Sequence, residues 1–189
     1  MKPDQIVLEK EMNGDHVVIR VVDEKYIDQM HQYINELSQE ETFISLQNDV
    51  ITKEDEDKAV KAMVQQVVEK RGLVLILFVK DVLAGISNIS SGSRGAIKHR
   101  GGFGISLRPQ FRGKGYGRLL METILDITKK HMPDLEKVTL TCFVTNENAK
   151  ALYKKLGFVE YGRLPEGLKR KGKTYEEISM YKDMQSDQT

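Results

Sequence analysis

The chain is poor in the residues that hold a fold by covalent or special means. Of 189 residues one is cysteine (Cys142), four are proline and none is tryptophan. A single thiol excludes an internal disulfide and suits a reducing compartment. The four histidines, at 16, 31, 99 and 131, lack the spacing of metal ligands, so no metal is expected. Neither sign of charge is in excess: 29 Lys and Arg against 28 Asp and Glu leave a net charge of +1. No global field therefore advertises a nucleic acid or a membrane as partner. The longest apolar run, Leu73 to Val79, is too short to span a bilayer. The opening stretch MKPDQIVLEKEMNGD has neither the apolar core of a signal peptide nor the Arg/Ser bias of a transit peptide. The expectation is a soluble, cytoplasmic protein. Its 40% hydrophobic content suffices for one domain over 1–189, with the core at about 16–183.

What is present is periodicity. His16 to Val22 (HVVIRVV) is β-branched and predicts a strand. Asp23, a capping type, precedes Ile27, Met30, Ile34 and Leu37 at helical spacing. Thr52, with Asp55 three places on, starts a second helix marked by Val60, Met63, Val64, Val67 and Val68 and ended by Gly72. Residues 73–79 (LVLILFV) are continuously apolar, as in a strand covered on both faces. Lys80–Asp81 then turns into VLAGISNIS. A strand over 97–107, a helix over 116–130 closed by Pro133, and an alternating strand from Val138 to Val144 follow. Ala149, Leu152, Tyr153 and Leu156 form a short helical stripe ended by Gly157. Two last strands, 158–161 and 174–181, flank the basic loop LKRKGK. The order β-α-α-β-β-β-α-β-α-β-β predicts an α/β domain with one mixed central sheet and helices on both faces.

The stretch QFRGKGYGRLL (110–120) sets glycines and cations directly before a helix. A helix begins with N–H groups that lack intrahelical partners and with the positive end of its dipole. Glycine lets a ligand approach that backbone because no Cβ intervenes. Gly113, Gly115 and Gly117 therefore describe an anion cradle, most naturally for phosphate, with Arg112, Lys114 and Arg118 to meet it from the sides. A Walker A loop requires Ser or Thr after Gly113-Lys114, where the chain has Gly115. A dinucleotide fingerprint requires glycine at 118, where it has Arg118. A loop that merely turns the chain stays open as an alternative.

The run Gln110-Phe111-Arg112-Gly113-Lys114-Gly115 matches a Q/R-x-x-G-x-G/A signature, with Leu107-Arg108-Pro109 in front of it. Further on, NENAKALYKKLGF (146–158) matches N-x-x-A-x-x-L-Y-x-K-x-G-F. In this order and at this separation the two motifs resemble the GNAT superfamily of N-acetyltransferases, from about Gly104 to Gly162 by motif and elsewhere by order of elements. The resemblance implies acetyl-CoA as co-substrate, bound where two parallel strands, 97–107 and 137–144, splay apart. It implies that backbone N–H groups of Arg112, Gly113, Gly115, Tyr116 and Gly117 hold the pyrophosphate. The pantetheine arm would pair along Leu107, and Asn146 would hydrogen-bond it from the other side. Lys150 and Lys154 either approach the outer phosphates or stand on a solvated helix face.

The resemblance also assigns chemistry. Acetyl transfer to an amine requires deprotonation of the amine, stabilisation of an oxyanion and protonation of the leaving thiolate. Tyr153 takes the family's general-acid position; a core tyrosine on the apolar stripe is the alternative. The backbone N–H of Leu107 is the implied oxyanion donor. Many members place a glutamate base on the strand before the signature, and here Gly102 stands in its place. His99, Glu41 or ordered water remain for that role, or the proton goes to bulk water. Cys142, on an alternating strand, reads as buried packing.

In the superfamily the acceptor site involves the first two helices, their connecting loop and the last hairpin. Glu40, Glu41, Thr42 and Phe43 and the run LPEGLKRKGKTYEE lie in those regions. The C-terminal run GFVEYGRLPEGLKRKGKTYEEISMYK resembles the subgroup with ribosomal-protein N-terminal and polyamine or small-amine acetyltransferases. That leaves a small-molecule amine or a peptide N-terminus as acceptor, and a homodimer through the last strands as an option. A catalytically silent acyl-CoA-binding or sensing module is the competing reading. RNA binding through RGKGYGR and KHRGG is a third, opposed by the balanced charge and the lack of an aromatic stacking platform.

Overall fold

One strand stands ahead of everything the apolar pattern predicts. In a computed structural model, described here over residues 1–40 and 50–184, β1 (Ile6–Met12) pairs antiparallel with β2 (Asp15–Val21). Asn13 and Gly14 join them with φ of 57° and 78°, the left-handed pair that a two-residue hairpin turn requires. No position of β1 is fully buried, so its sequence carries no clean alternation. The element order therefore has one strand more than the sequence predicts.

After β2 come α1 (Ile27–Ser38), α2 (Lys53–Val68), β3 (Gly72–Val79), β4 (Val82–Ser91), β5 (Arg100–Leu107) and α3 (Tyr116–His131). β6 (Lys137–Phe143), α4 (Glu147–Lys155), β7 (Val159–Arg170) and β8 (Lys173–Asp183) complete the domain. The strands form one sheet in the order β1-β2-β3-β4-β5-β6-β8-β7, antiparallel except where β5 meets β6. The fold is a mixed α/β sheet, as the element pattern implies.

Local chemistry explains most boundaries. Asp23 accepts from Lys25 N at 2.9 Å and caps a short 3-10 turn ahead of α1. Thr52 Oγ1 accepts from Asp55 N at 3.1 Å, which caps α2, and donates to the Asp55 carboxylate at 2.6 Å. Lys80 and Asp81, with φ of 49° and 62°, turn β3 into β4. The last two strands run much longer than expected: Leu168 to Arg170 are still strand, and only Lys171–Gly172 turns. Residues 97–99 precede β5 instead of opening it, Gly95–Ile97 forming a 3-10 turn.

The two faces of the sheet are covered by different helix pairs. Tyr33 of α1 meets Ser106 of β5, and Gln66 of α2 meets Ser90 of β4. On the other face, Leu152 of α4 and Leu107 of β5 close on the helix position of Gly117, and Phe103 packs edge-on to Tyr153. β3 is buried at every position, in keeping with its unbroken apolar run. Each such Leu, Ile or Phe contributes about 1.5–3 kcal/mol. An exposed ion pair contributes about 0–1 kcal/mol, so the core and not the surface charge holds the sheet.

Asp4 is the surface exception. Its carboxylate meets Arg20 at 2.5 Å, the Tyr26 hydroxyl at 2.6 Å and the Lys25 ammonium, tying the segment before β1 to β2 and α1. Burial alone would raise its pKa, but the hydrogen bonds from Lys25, Tyr26 and Arg20 outweigh that and hold it at about 2. A depressed carboxyl stabilises the fold above its unfolded pKa of about 4 and loses that contribution as pH falls toward 2. Asp4→Asn should therefore lower Tm at pH 7 by about 2–4 °C, some 1 kcal/mol after solvent screening. Its melting curve should also lose the corresponding pH dependence between about pH 4 and 2; identical pH profiles for both proteins would refute the network's role.

Candidate active site

β5 and β6 run parallel only from Arg100–Gly102 against Lys137–Thr139. Beyond that β5 stays with β4 up to Leu107, while β6 follows β8 to Phe143, and a wedge opens between them. The register fixes what faces the wedge. Arg108 N donates to Ala84 O at 2.9 Å. In an antiparallel ladder the bonding direction alternates, so Gly104 and Ser106 bond toward β4 while Ile105 and Leu107 turn their N–H groups into the wedge. Leu107, expected there as an oxyanion donor, is so directed. Ile105 is equally so, and only the register reveals it.

The chain leaving β5 makes a short 3-10 turn over Pro109–Phe111 and reaches α3 through Gly113 and Gly115, with φ of 72° and 85°. The first helical bond is Leu119 N to Gly115 O at 3.0 Å. Among the described residues, no acceptor meets the N–H groups of Gly113, Lys114, Gly115, Tyr116, Gly117 or Arg118. A Cβ at Gly113 would meet nothing within 4 Å, so the cradle is open where an anion would enter. These residues fit a phosphate by backbone donors and helix dipole.

The hairpin of β1 and β2 braces this loop from outside. Asn13 Nδ2 donates to Lys114 O at 3.0 Å, and Tyr116, fully buried, donates to Asp15 Oδ2 at 3.0 Å. Asp15 also pairs with Lys80 at 2.5 Å, and that hydrogen bond leads in holding its pKa below the usual value. A Cβ on Gly115 would sit 2.8 Å from Met12 Cε, so glycine is required there by both φ and space.

Two of the three loop cations are turned elsewhere in this structure. Arg112 spends its N–H on Pro109 O at 3.1 Å. Its guanidinium reaches Leu107 O at 2.9 Å through Nε and Glu40 Oε2 at 2.7 Å. Arg118 Nε pairs with Glu122 at 2.8 Å along the helix. Lys114 has no ion pair among the described residues and is the side chain left for the phosphates. Lys150 is likewise committed, to Val144 O at 2.7 Å and Glu147 at 2.6 Å.

Across the wedge, Asn146 caps α4, its Oδ1 accepting from Ala149 N at 3.2 Å. Its side-chain N–H group meets no acceptor among the described residues and is available as a donor. Tyr153 lies in an aromatic nest with Phe103 and Phe158, with ring centroids at 6.5 and 6.1 Å. It is 8% exposed, and burial, reinforced by nearby Cys142, pushes its pKa well above the ordinary phenol value. The phenol thus stays protonated throughout the physiological range. Cys142 is buried on β6 and burial likewise pushes its thiol up.

The base candidates fare differently. His99 is exposed before the start of β5 and lies eight residues from Leu107, on the order of 26 Å along a strand, too far for proton transfer. Glu41, with Thr42 and Phe43, lies outside the described residues. Gly102 has open space around its Cβ position. Sequence reasoning misses one carboxyl, Glu56 of α2, 7% exposed and raised by burial, with His31 as the charge that opposes the rise. Its described electrostatic neighbour is on α1 and not on β5. Among the described residues no group of three or more His, Cys, Asp or Glu is placed to hold a metal ion, and no helix is long and apolar enough to cross a membrane.

The sequence model of the acetyltransferase (GNAT) family matches residues 31–158. No curated protein sequence matches the chain. Among solved structures, the acetyltransferase of GNAT family from Streptococcus pneumoniae superposes with a TM-score of 0.81 at 27% identity, over 88% of this chain and 98% of that one. The ribosomal-protein-S5-alanine acetyltransferase from Vibrio fischeri gives 0.77 at 20%, over 95% and 98%. RimL, a ribosomal L7/L12 α-N-protein acetyltransferase in complex with coenzyme A, gives 0.77 at 16%, over 95% and 98%.

Proposed function

The chain belongs to the acetyltransferase (GNAT) family, and on that premise we propose that it moves an acetyl group from acetyl-CoA directly onto a primary amine. The observation that carries this reading is the wedge between β5 and β6 beside an open row of unpaired N–H groups at the start of α3. Backbone donors of residues 113–117, helped by Lys114, would take the pyrophosphate. The arm leading to the thioester would run through the wedge past Leu107, with Asn146 Nδ2 on its far side.

The step is an attack by the amine nitrogen on the thioester carbonyl. A C–N bond forms and the C–S bond breaks. The N–H group of Leu107, or that of Ile105 about 6.6 Å back along the strand, is aimed to hold the developing oxyanion. The thiolate takes its proton from Tyr153, and the amine gives one to water. With glycine at 102, and with Glu36 and Glu40 bound to Arg108 and Arg112, we assign no carboxylate of the described residues as base.

Proton release to water, which is part of this reading, bears on the acceptor. An α-amine has a pKa of about 8 and an alkyl amine about 10.4. At neutral pH the neutral, nucleophilic fraction of the former is therefore larger by a factor on the order of 100. A site that relies on water suits the weaker base, so the acceptor in this reading is an α-amine, on a small molecule or at a peptide N-terminus. The names of the structural neighbours RimL and the S5-alanine enzyme lend support.

Saturation with acetyl-CoA tests the reading. At a hundredfold excess over Kd, binding to the native state adds about 2.7 kcal/mol. For a chain of this size Tm should rise by roughly 5–11 °C. An unchanged Tm would remove the cradle and the enzyme together, whereas a shift without turnover on any amine would favour a silent acyl-CoA-binding module.

A further inference from the structure

On the face of β5 covered by α1 and α2, side chains are missing at Gly102 and Gly104, the two positions before Ser106 on that face. Gly102 opens to solvent, but the space at Gly104 is used. The register sets Asn88 of β4 opposite Gly104, and Asn88 Oδ1 lies 2.6 Å from where a Cβ of residue 104 would be. Glycine at 104 thus lets a carboxamide lie flat over the strand, in the volume a side chain would fill.

The polar neighbours in this row are satisfied. Ser106 Oγ is bound to Tyr33 Oη at 2.9 Å, and Ser90 Oγ donates to Gln66 Oε1 at 3.1 Å. The half-buried Asn88 carboxamide has no hydrogen-bond partner among the described residues. Its polar atoms are therefore free for water or a ligand to complete. It stands one residue from Ile105, whose N–H faces the wedge, but on the opposite side of the strand from Tyr153.

We propose that Asn88 binds and orients the acceptor amine. Its Oδ1 accepts one N–H of the amine, which turns the nitrogen lone pair toward a carbonyl held at Ile105 or Leu107. A carboxamide cannot serve as the base; it selects the attacking geometry, and the open backbone at Gly102 gives the amine its approach. This inference rests on the acetyl-transfer reading above.

Steady-state kinetics at saturating acetyl-CoA, with Ala-Ala-Ala-amide, lysine and spermidine as acceptor probes, separate the two. Asn88→Ala should lower kcat/KM for whichever probe the native enzyme acetylates by at least tenfold, with an unchanged Tm rise on adding acetyl-CoA. Gly104→Ala should do the same by an independent route. Its Cβ meets only the movable end of Asn88 and pushes the carboxamide aside without breaking the strand. A purely structural role would lower Tm in both variants and leave the acceptor KM alone. Retention of kcat/KM within twofold in folded Asn88→Ala overturns the proposal, as does a native enzyme that binds acetyl-CoA and acetylates none of the probes. Failure of acetyl-CoA to raise Tm at all instead overturns the reading beneath it.

Discussion

Tyr153→Phe should lower kcat for acetyl transfer about 100-fold or more, with the acetyl-CoA-induced rise in Tm unchanged. The two readouts part because the ring and the hydroxyl do different work. The ring packs against Phe103 and Phe158 in the core, and phenylalanine preserves that packing. The hydroxyl has no hydrogen-bond partner among the described residues, so its loss leaves no group stranded. What disappears is the proton for the departing thiolate. Burial holds the phenol protonated well beyond neutrality, so the native pH–rate profile should rise with amine deprotonation and show no fall before about pH 10. Unchanged turnover in the variant would return Tyr153 to an ordinary core tyrosine. A descending limb near pH 8 would point to another acid.

How much of this a sequence can carry depends on where the information resides. The β3 run LVLILFV announces a strand buried on both faces because nothing but a sheet interior accepts it. Gly113 and Gly115 announce a loop because few other residues take their φ. Tyr153 sits on a helical stripe that periodicity alone assigns to the core; the motif around it, not the period, suggests a site. β1 escapes because an edge strand with no buried position has no clean alternation, and only Asn13-Gly14 hints at it.

The wedge escapes altogether. It depends on where the β5–β6 pairing stops, and that in turn depends on β8 drawing β6 away. Side-chain direction escapes too. Arg112 and Lys114 look alike as loop cations, yet one folds back on Leu107 O and Glu40 while the other has no ion pair among the described residues. Asn88 is invisible in the sequence because its meaning lies in a cross-strand glycine sixteen residues away.

The cradle yields the second large effect. Gly113→Glu should weaken acetyl-CoA binding about 100-fold and abolish the Tm rise at ligand concentrations that saturate the native protein. Two unit charges about 4 Å apart near a protein surface repel by several kcal/mol, more than enough for that factor. Gly113 serves better than Gly115 because the causes separate there. A side chain at 115 would run into Met12, so a Gly115 variant would mix lost binding with lost stability. At 113 nothing stands within 4 Å, and the strain is that of φ at 72° alone, about 1–2 kcal/mol. Gly113→Asn isolates that strain, since asparagine tolerates the left-handed region and adds no charge. Its Tm without ligand should stay within a few degrees of native, and its Kd should rise far less than that of the glutamate variant. Equal losses in both variants would mean that bulk, not charge, closes the site. Native affinity in Gly113→Glu would mean that no phosphate approaches this end of α3, and the anion would then have to bind elsewhere on the molecule.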